Sequence, residues 1–569
     1  MSKITPESAK VKYVFNGFDG IRSDAEASGI GALEMRNFRI AADGTLEKRD
    51  GWSTLYCDGY GLPRGFWQGC LNNTPQMFLV SGETIYRFNG IDATPVGELP
   101  DNIGDVQFVF YRDRLYLLDG FAIRVYCEDT DQFKEALGYV PLYGYNWHPT
   151  DLGSIYEPLN YFTPHLRVHY LNTTSSSTFR LPFYASAIDG ITVDGKKVTS
   201  YDFLSPSNTV TINTVGASVE IAFSVDPAQN IRLQLAQCQH GYVNNDYERE
   251  VMFLYGASQG YRLFGTATVS DLDLKSCKIL YPNADPLYFK AETMLLLGDT
   301  EHPVTALCAN RGRILAFNKT GIWSIQLSEE SDRLESYRLP RGVGCSTYGA
   351  VMIQNGDPIV TNESGIYRLS STASAPDEFN ATLLSEEIAP LVSLSFFKNM
   401  ICYQNHACNE IWFRDRSEKE GVVYVYHTIK KLWYCFDFIH AKFFFQMDGK
   451  MGFATETSFC IFNGYSDTDD GYVITAYYQS GYLHFSSPET VKRALRLTLA
   501  ANTNGNTVNI TLDTEKQSLT LIELGSKQSP PEFFDKRVMP GRFRFLRFRI
   551  SDSGIERSRY YRLALYANL

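Results

Sequence analysis

The sequence predicts an all-β protein built on a repeated, short antiparallel meander. Three observations predict it. The first is composition: aromatics make up 14% of the chain, with 36 Tyr and 37 Phe, and long helical periodicity is absent. The second is the stretch Val304–Leu327, which reads as three short strands punctuated at Asn310–Gly312 and again at Asn318–Gly321. The third is that this stretch recurs. A meander so short cannot bury a core alone and needs copies to stack against.

The copies share one layout, in which a strand, a tight turn and a second strand end near an aromatic or aliphatic residue. They fall at Met77–Phe88, Arg114–Tyr126, Pro358–Leu369 and Met451–Phe462. A longer version joins Met400–Asn405, Glu410–Arg414 and Val422–His427, and a degenerate one joins Val251–Tyr255 to Tyr261–Phe264. Neighbouring copies recur at roughly 40 to 50 residues, the period of propeller blades. The fold expected is a roughly seven-bladed β-propeller with an inserted β-sandwich-like domain and a C-terminal β-sandwich domain.

Taken in order, residues 1–56 read as an amino-terminal arm and a hairpin. Asp43-Gly44 is a type I′ turn signal between its strands, and Lys48 and Arg49 are either a basic contact site or a solvated hairpin edge. Residues 57–140 hold the first blades. The repeat then stops at the proline-bearing stretch Tyr156–Pro164. New alternating strands follow at Thr178–Phe183, Ile191–Val198 (a hairpin on Asp194-Gly195), Asn208–Thr214 and Ser218–Val225. Residues 141–247 are therefore an inserted β-domain, which loops between blades tolerate because closure cost grows slowly with length. The remaining blades occupy 248–470, and the two blade segments are expected to close into one ring. Residues 471–569 read as a C-terminal β-sandwich. In its strand Arg542–Ile550 the arginines change parity at Phe545-Leu546. A β-bulge there keeps the apolar residues on one face and sets Arg542, Arg544, Arg547 and Arg549 in one solvent-facing stripe.

Charge and cysteine narrow the functional classes. Net charge is −11, yet Gly481–Leu569 holds 14 Lys and Arg against eight Asp and Glu, so the rest of the chain carries −17. An acidic body with a basic end suits oriented contacts between copies and disfavours a surface that binds nucleic acid throughout. The 11 cysteines are odd in number, scattered and never in a C-x-x-C pair. That pattern suits reduced thiols and synthesis in a cytoplasm. No secretory leader pattern and no run of membrane-spanning length is visible.

Candidate chemistry dissolves on inspection. His165 and His169 have zinc-pair spacing without the intervening Glu, and in a strand they simply share a face. His406-Ala-Cys408 reads as a turn. Asp467–Gly471 resembles a calcium loop, but its glycine comes one position early and no Glu closes it, so it reads as a solvated linker. The adjacent pairs Glu329-Glu330 and Glu386-Glu387 would face opposite ways in a strand. No nucleophile elbow or phosphate loop is present. The expectation is no enzyme, no catalytic residue, no metal and no cofactor.

Three features together resemble one family. They are the hairpin Asn37–Ile40 with Asp43–Gly51; the blade pattern Arg313–Asn318 and Gly321–Ile325, preceded by Asp285–Phe289; and the closing Tyr477–Phe485 with Lys492. The chain resembles the tail-tube or nozzle proteins of short-tailed bacteriophages, of the packaged-DNA-stabilisation type, over most of its length outside 141–247. The resemblance implies a structural virion protein, assembled in the host cytoplasm, that forms a hexameric tube below the portal and adaptor. Other tail proteins adjoin it, and double-stranded DNA passes through without sequence-specific binding. An acidic body fits that role, because each neutralised phosphate would add salt-sensitive affinity. The basic stripe is the candidate assembly interface, or else a solvated strand face or one paired within the domain to Asp552 and Glu556. The rival class is a propeller of a phage tail tip or cell surface that binds a receptor, or binds or cleaves glycans.

Overall fold

The computed structural model describes residues 10–568 apart from 16–17, 26–30, 57–60, 101, 103, 112, 119–122, 137, 161–162, 226–251, 258–259, 267–277, 283–287, 298–303, 312, 328–333, 341–342, 373–374, 465, 485–487, 525–531 and 540. Its described elements are strands joined by turns and short 3-10 segments. Among them, six sheets have the four-stranded form of a propeller blade and a seventh such run lies within a nine-stranded sheet, and the fold is all-β of the propeller type with β-sandwich additions. By compactness the chain divides into two units, one of Arg64–Val360 with Leu369–Ala381, the other of Met1–Pro63, Thr361–Arg368 and Thr382–Leu569.

The first unit begins with a blade of Pro63–Leu71, Thr74–Ser81, Thr84–Phe88 and Ala93–Glu98, followed by one of Gln107–Tyr111, Arg114–Leu118, Ile123–Cys127 and Gln132–Glu135. These two sheets share one core. Phe78, Val80 and Ile85 of the first pack with Leu115, Leu117, Tyr126 and Phe133 of the second. The Phe78 and Phe133 rings meet edge to face at 5.3 Å. This is the stacking that a lone meander lacks, and it removes both blades' apolar faces from water. Further blades follow at Met252–Ala257 to Phe289–Leu296 and at Ala306–Asn310 to Leu334–Arg338. In the latter every residue of Arg313–Phe317 is buried, as befits an inner strand. Another four-stranded sheet runs from Val351–Gln354 to Ala375–Leu383.

Between the second and third blades lies the inserted domain. A five-stranded sheet orders Leu142–Trp147, His165–Leu171, Ser218–Val225, Ala185–Val193 and Lys196–Val198, and a three-stranded sheet orders Thr178–Arg180, Thr209–Ile212 and Tyr201–Leu204. Alternation does the work here. Val219, Ile221, Phe223 and Val225 are buried, and they join Phe179, Val210 and Ile212 of the smaller sheet in one core. The hairpin turn is type I′ as its sequence demands, with Asp194 and Gly195 both at positive φ (47° and 74°).

The second unit holds the blade Met400–Asn405, Glu410–Asp415, Val423–His427 and Leu432–Phe436. It also holds the blade Phe443–Met447, Lys450–Ala454 and Phe459–Ile461, whose fourth strand is Ser53–Tyr56 from the amino-terminal end. The arm does more than that. Ala32–Arg36 pairs with Ala476–Ser480 and touches Leu432–Phe436 in parallel, which makes one nine-stranded sheet of a blade and half of the C-terminal sandwich. Phe38–Ile40, Leu46–Lys48 and Lys10–Phe15 join the other sandwich sheet beside Arg559–Asn568. The C-terminal sandwich is thus completed by the first residues of the chain. Phe38 meets Tyr560 edge to face at 5.6 Å within its core.

The hairpin turn at Asp43-Gly44 differs from expectation. Ile40 pairs with Leu46, which leaves a five-residue loop, and only Gly44 takes positive φ (88°). The Asp43 carboxylate instead accepts bonds from the Thr45 amide and hydroxyl at 3.1 and 2.7 Å. That side-chain cap favours an Asx turn over a two-residue I′ turn. At the hairpin's end Gly51 lies against the Thr468 backbone so closely that a Cβ would sit 2.0 Å from the Thr468 carbonyl oxygen. Only glycine permits that approach.

Candidate assembly surface

The four arginines of Arg542–Ile550 do not form one stripe. The strand breaks at Arg544-Phe545, and its halves belong to different sheets. Arg542–Phe543 pairs with Lys492–Asn502 in the sheet that holds Arg559–Asn568, whereas Leu546–Asp552 lies between Ala476–Ser480 and Val508–Thr514 in the other. The parity change predicted as a bulge is a crossing from one sandwich layer to the other. Glu515 holds the crossing by accepting the amides of Arg544 and Phe545 at 2.7 and 3.3 Å.

The two pairs of arginines consequently differ. Arg547 and Arg549 converge on Asp513, which is the cross-strand partner of Arg547. Arg547 donates from Nε at 3.1 Å and lies over the Tyr482 ring at 5.0 Å. Burial pushes the Asp513 carboxyl up, but bonds from Ser518 and Arg547 and the charges of Arg549 and Arg547 hold it below the usual carboxylate range. The partner is Asp513 and not Asp552 or Glu556. Asp552 is buried and already accepts from Asn506, Ser558, Tyr560 and the Gly554 amide. Arg542 and Arg544 are exposed. Two cations over one carboxylate leave a local surplus of positive charge, and the exposed pair adds to it.

Lys48 and Arg49 are neither a contact site nor a solvated edge, because both are buried. Arg49 grips Asp469 through both terminal nitrogens, at 2.8 and 2.5 Å, and donates to the Asn37 side chain and the Asp437 carbonyl at 2.9 and 3.1 Å. Lys48 lies 3.8 Å from Asp552 and donates to the Gly554 carbonyl. Burial lowers the Lys48 pKa while Asp552 opposes it. The sequence-predicted linker Asp467–Gly471 is solvated only in part: Asp470 and Gly471 are exposed, but Asp469 is buried. Asp469 holds Arg49, Asp467 holds Arg557 at 3.2 Å, and Asp470 caps Thr54. Asp470 and Gly471 form a positive-φ turn between two short strands. Lys48, Arg49 and Asp469 are charged and so read as surface by type; each is buried because an opposite charge distant in sequence meets it.

The remaining candidates scatter. His165 pairs with Asp189 at 2.7 Å, while His169 bonds Ser218 at 2.8 Å and accepts the Asn146 amide at 3.3 Å. His406–Cys408 is a 3-10 turn. Glu386 and Glu387 sit in the 3-10 segment Ser385–Leu391 instead of a strand, and Glu387 accepts from Ser23. Glu329-Glu330 and Asp285–Pro286 lie outside the described residues. Among the described residues no group of three or more His, Cys, Asp and Glu is arranged to hold a metal ion, and no helix is long and apolar enough to cross a membrane. Cys308, Cys345, Cys435 and Cys460 are buried thiols.

No protein-family profile matches this chain, and no curated protein matches it. Among solved structures it is similar to the extracellular domain of a one-component system protein from B. thetaiotaomicron, at TM-score 0.25 and 10% identity over 71% of this chain and 51% of that one. It is also similar to the Dos1 propeller, at TM-score 0.34 and 7% identity over 75% of this chain and 80% of that one. The chain spans about half the length of the first of these. The class defined here, an all-β propeller-type protein with sandwich additions, rests on the sheet topology itself.

Proposed function

We propose that the chain is a structural virion protein, a component of the tail nozzle of a short-tailed bacteriophage. In this reading six copies form a channel below the portal and adaptor that retains and then conducts the genome. One observation carries it beyond the sequence resemblance. Two of the motifs behind that resemblance, some 440 residues apart, are neighbours in space. The strand leading into the hairpin at Asn37 pairs with the closing stretch, Arg36 opposite Tyr477 and Met35 opposite Tyr478. Asn37 itself donates to the Thr475 carbonyl at 2.8 Å. The motifs therefore mark one built module, which supports reading them as a unit. The acidic body suits DNA passage without retention by sticking, and the surplus of positive charge around Arg542 and Arg544 suits pairing with carboxylates of an adjoining copy.

The test is mass photometry of the purified protein across a salt series. A sixfold assembly that loosens as salt rises agrees with the proposal. A monomer or trimer at every salt concentration contradicts it.

A further inference from the structure

We infer that the inserted domain carries a saccharide-binding groove on the hairpin loop between Leu142–Trp147 and Ile155, independent of the virion reading above. The groove has a volume of ≈ 390 Å³ and is lined by Tyr145, Asn146, His148, Asp151, Ile155 and Tyr156, among others. That volume falls within the roughly 300–1,000 Å³ of small-ligand pockets.

The loop is built, not slack. The strand Leu142–Trp147 has two register shifts in six residues, and Asn146 takes positive φ (53°). Such irregularities re-aim side chains, and here they turn Tyr145 and Asn146 outward one after the other, where alternation would bury one of them. Trp147 anchors the loop from beneath. It is 4% exposed, donates to the Ser154 carbonyl at 2.9 Å, and packs so closely on Gly144 and Gly153 that a Cβ on either would fall within 2.5 Å of the indole. Beside that anchor stand three neighbouring rings. His169 lies 5.0 Å from Tyr145, and Tyr145 lies 5.2 Å from Tyr156. His169 is itself fixed by Ser218 and the Asn146 amide. The two tyrosines are nonetheless 49% and 61% exposed.

Tyr145 already spends ring surface on both neighbours, so Tyr156, the more exposed of the two and ordered by that contact, is the ring ready to stack against an apolar ligand face. Beside them stand the polar groups of Asn146, His148 and Asp151, with His148 oriented by Thr150 at 3.1 Å. The lining thus offers flat apolar surface next to hydrogen-bonding groups of both kinds. A sugar ring presents the complement, a C–H face with a rim of hydroxyls. The other ligand classes fit less well. No Lys or Arg lines the groove, so a phosphate or nucleic acid finds no cation, and Asp151 repels it. A peptide adding as a strand is blocked, because Tyr156 and Glu157 already donate to the Tyr143 and Leu142 carbonyls at that edge.

The experiment is native affinity electrophoresis of the full chain in gels containing dextran, laminarin, galactomannan or soluble starch, with a polysaccharide-free gel as reference. A labelled DNA duplex is run with the protein in parallel. The proposal expects retardation by at least one neutral polysaccharide. It expects Tyr156→Ala to weaken the apparent affinity by up to about tenfold, the loss of one stacking contact at its upper end. Asp151→Ala should weaken it too, and its side chain is 80% exposed, so the fold is not at risk. Thermal unfolding of each variant checks that point. Absence of retardation in every polysaccharide gel overturns the proposal. So does retardation that both variants retain in full, or a DNA shift that depends on Tyr156.

Discussion

Replacing Arg49 with Met should be among the most damaging single changes in the second unit. Arg49 is 1% exposed and makes a two-nitrogen contact with Asp469. It also donates to Asn37, to the Asp437 carbonyl and to the Asp50 carbonyl. Methionine matches much of the stem but none of the donors. Asp469, 5% exposed, would keep its charge without its counter-ion. Removing one partner of a buried pair costs about 3–5 kcal/mol, because the remaining charge is left uncompensated. For a unit of this size that is a fall in Tm of about 6–20 °C, at 2–4 °C per kcal/mol. Arg49→Lys should fall between, since an ammonium cannot reproduce the fork. The double change Arg49→Met with Asp469→Leu should recover part of the loss, because both charges then leave the core together. As a control, Arg22→Met breaks an exposed pair with Asp24 and should cost about 1 kcal/mol or less. The assay is thermal unfolding followed by circular dichroism, with limited proteolysis to show whether the amino-terminal strands come loose first. An Arg49→Met protein that melts within about 2 °C of wild type would refute the reasoning.

Other outcomes follow from the same structure. Arg542→Glu with Arg544→Glu should reduce assembly size while leaving Tm unchanged, whereas Arg547→Glu with Arg549→Glu should lower Tm, because it gathers carboxylates around Asp513; size and melting measured on both variants separate the two. The Asp189 hydrogen bond raises the His165 pKa against the opposing effect of burial. Since the folded pKa lies above the unfolded 6.5, this pair stabilises the inserted domain fully below that value and is lost as pH rises through the folded pKa; Tm should fall over that interval, and Asp189→Asn should flatten the fall. Burial pushes the Cys435 thiol up to about 12, so iodoacetamide at neutral pH should label exposed Cys70 and leave Cys435 untouched until unfolding, as peptide mass spectrometry would show.

Much of the fold was legible because its signals are local. Val304–Leu327 appears as three strands at Ala306–Asn310, Arg313–Phe317 and Ile322–Leu327, and the insert's strands alternate as written. What the sequence hid was pairing across hundreds of residues. Nothing near Ser53–Tyr56 says that it completes a sheet with Phe459–Ile461, and nothing near Leu46–Lys48 says that it joins Arg559–Asn568. The charged residues misled for the same reason. Lys48, Arg49 and Asp469 read as surface by type, and each is core because an opposite charge reaches it from the far end of the chain. The alternation of Arg542–Ile550 was visible, but a parity change does not say whether the strand bulges or changes sheet. The groove left one trace, the clustered aromatics Tyr143, Tyr145, Trp147 and Tyr156, which composition alone assigns to strands.

The proposed sixfold tube can be seen in electron micrographs of the purified protein, averaged without imposed symmetry. The expected end-on views show six equal subunits around an open centre. Isolated particles of 64.4 kDa, or rings of any other symmetry, would contradict it.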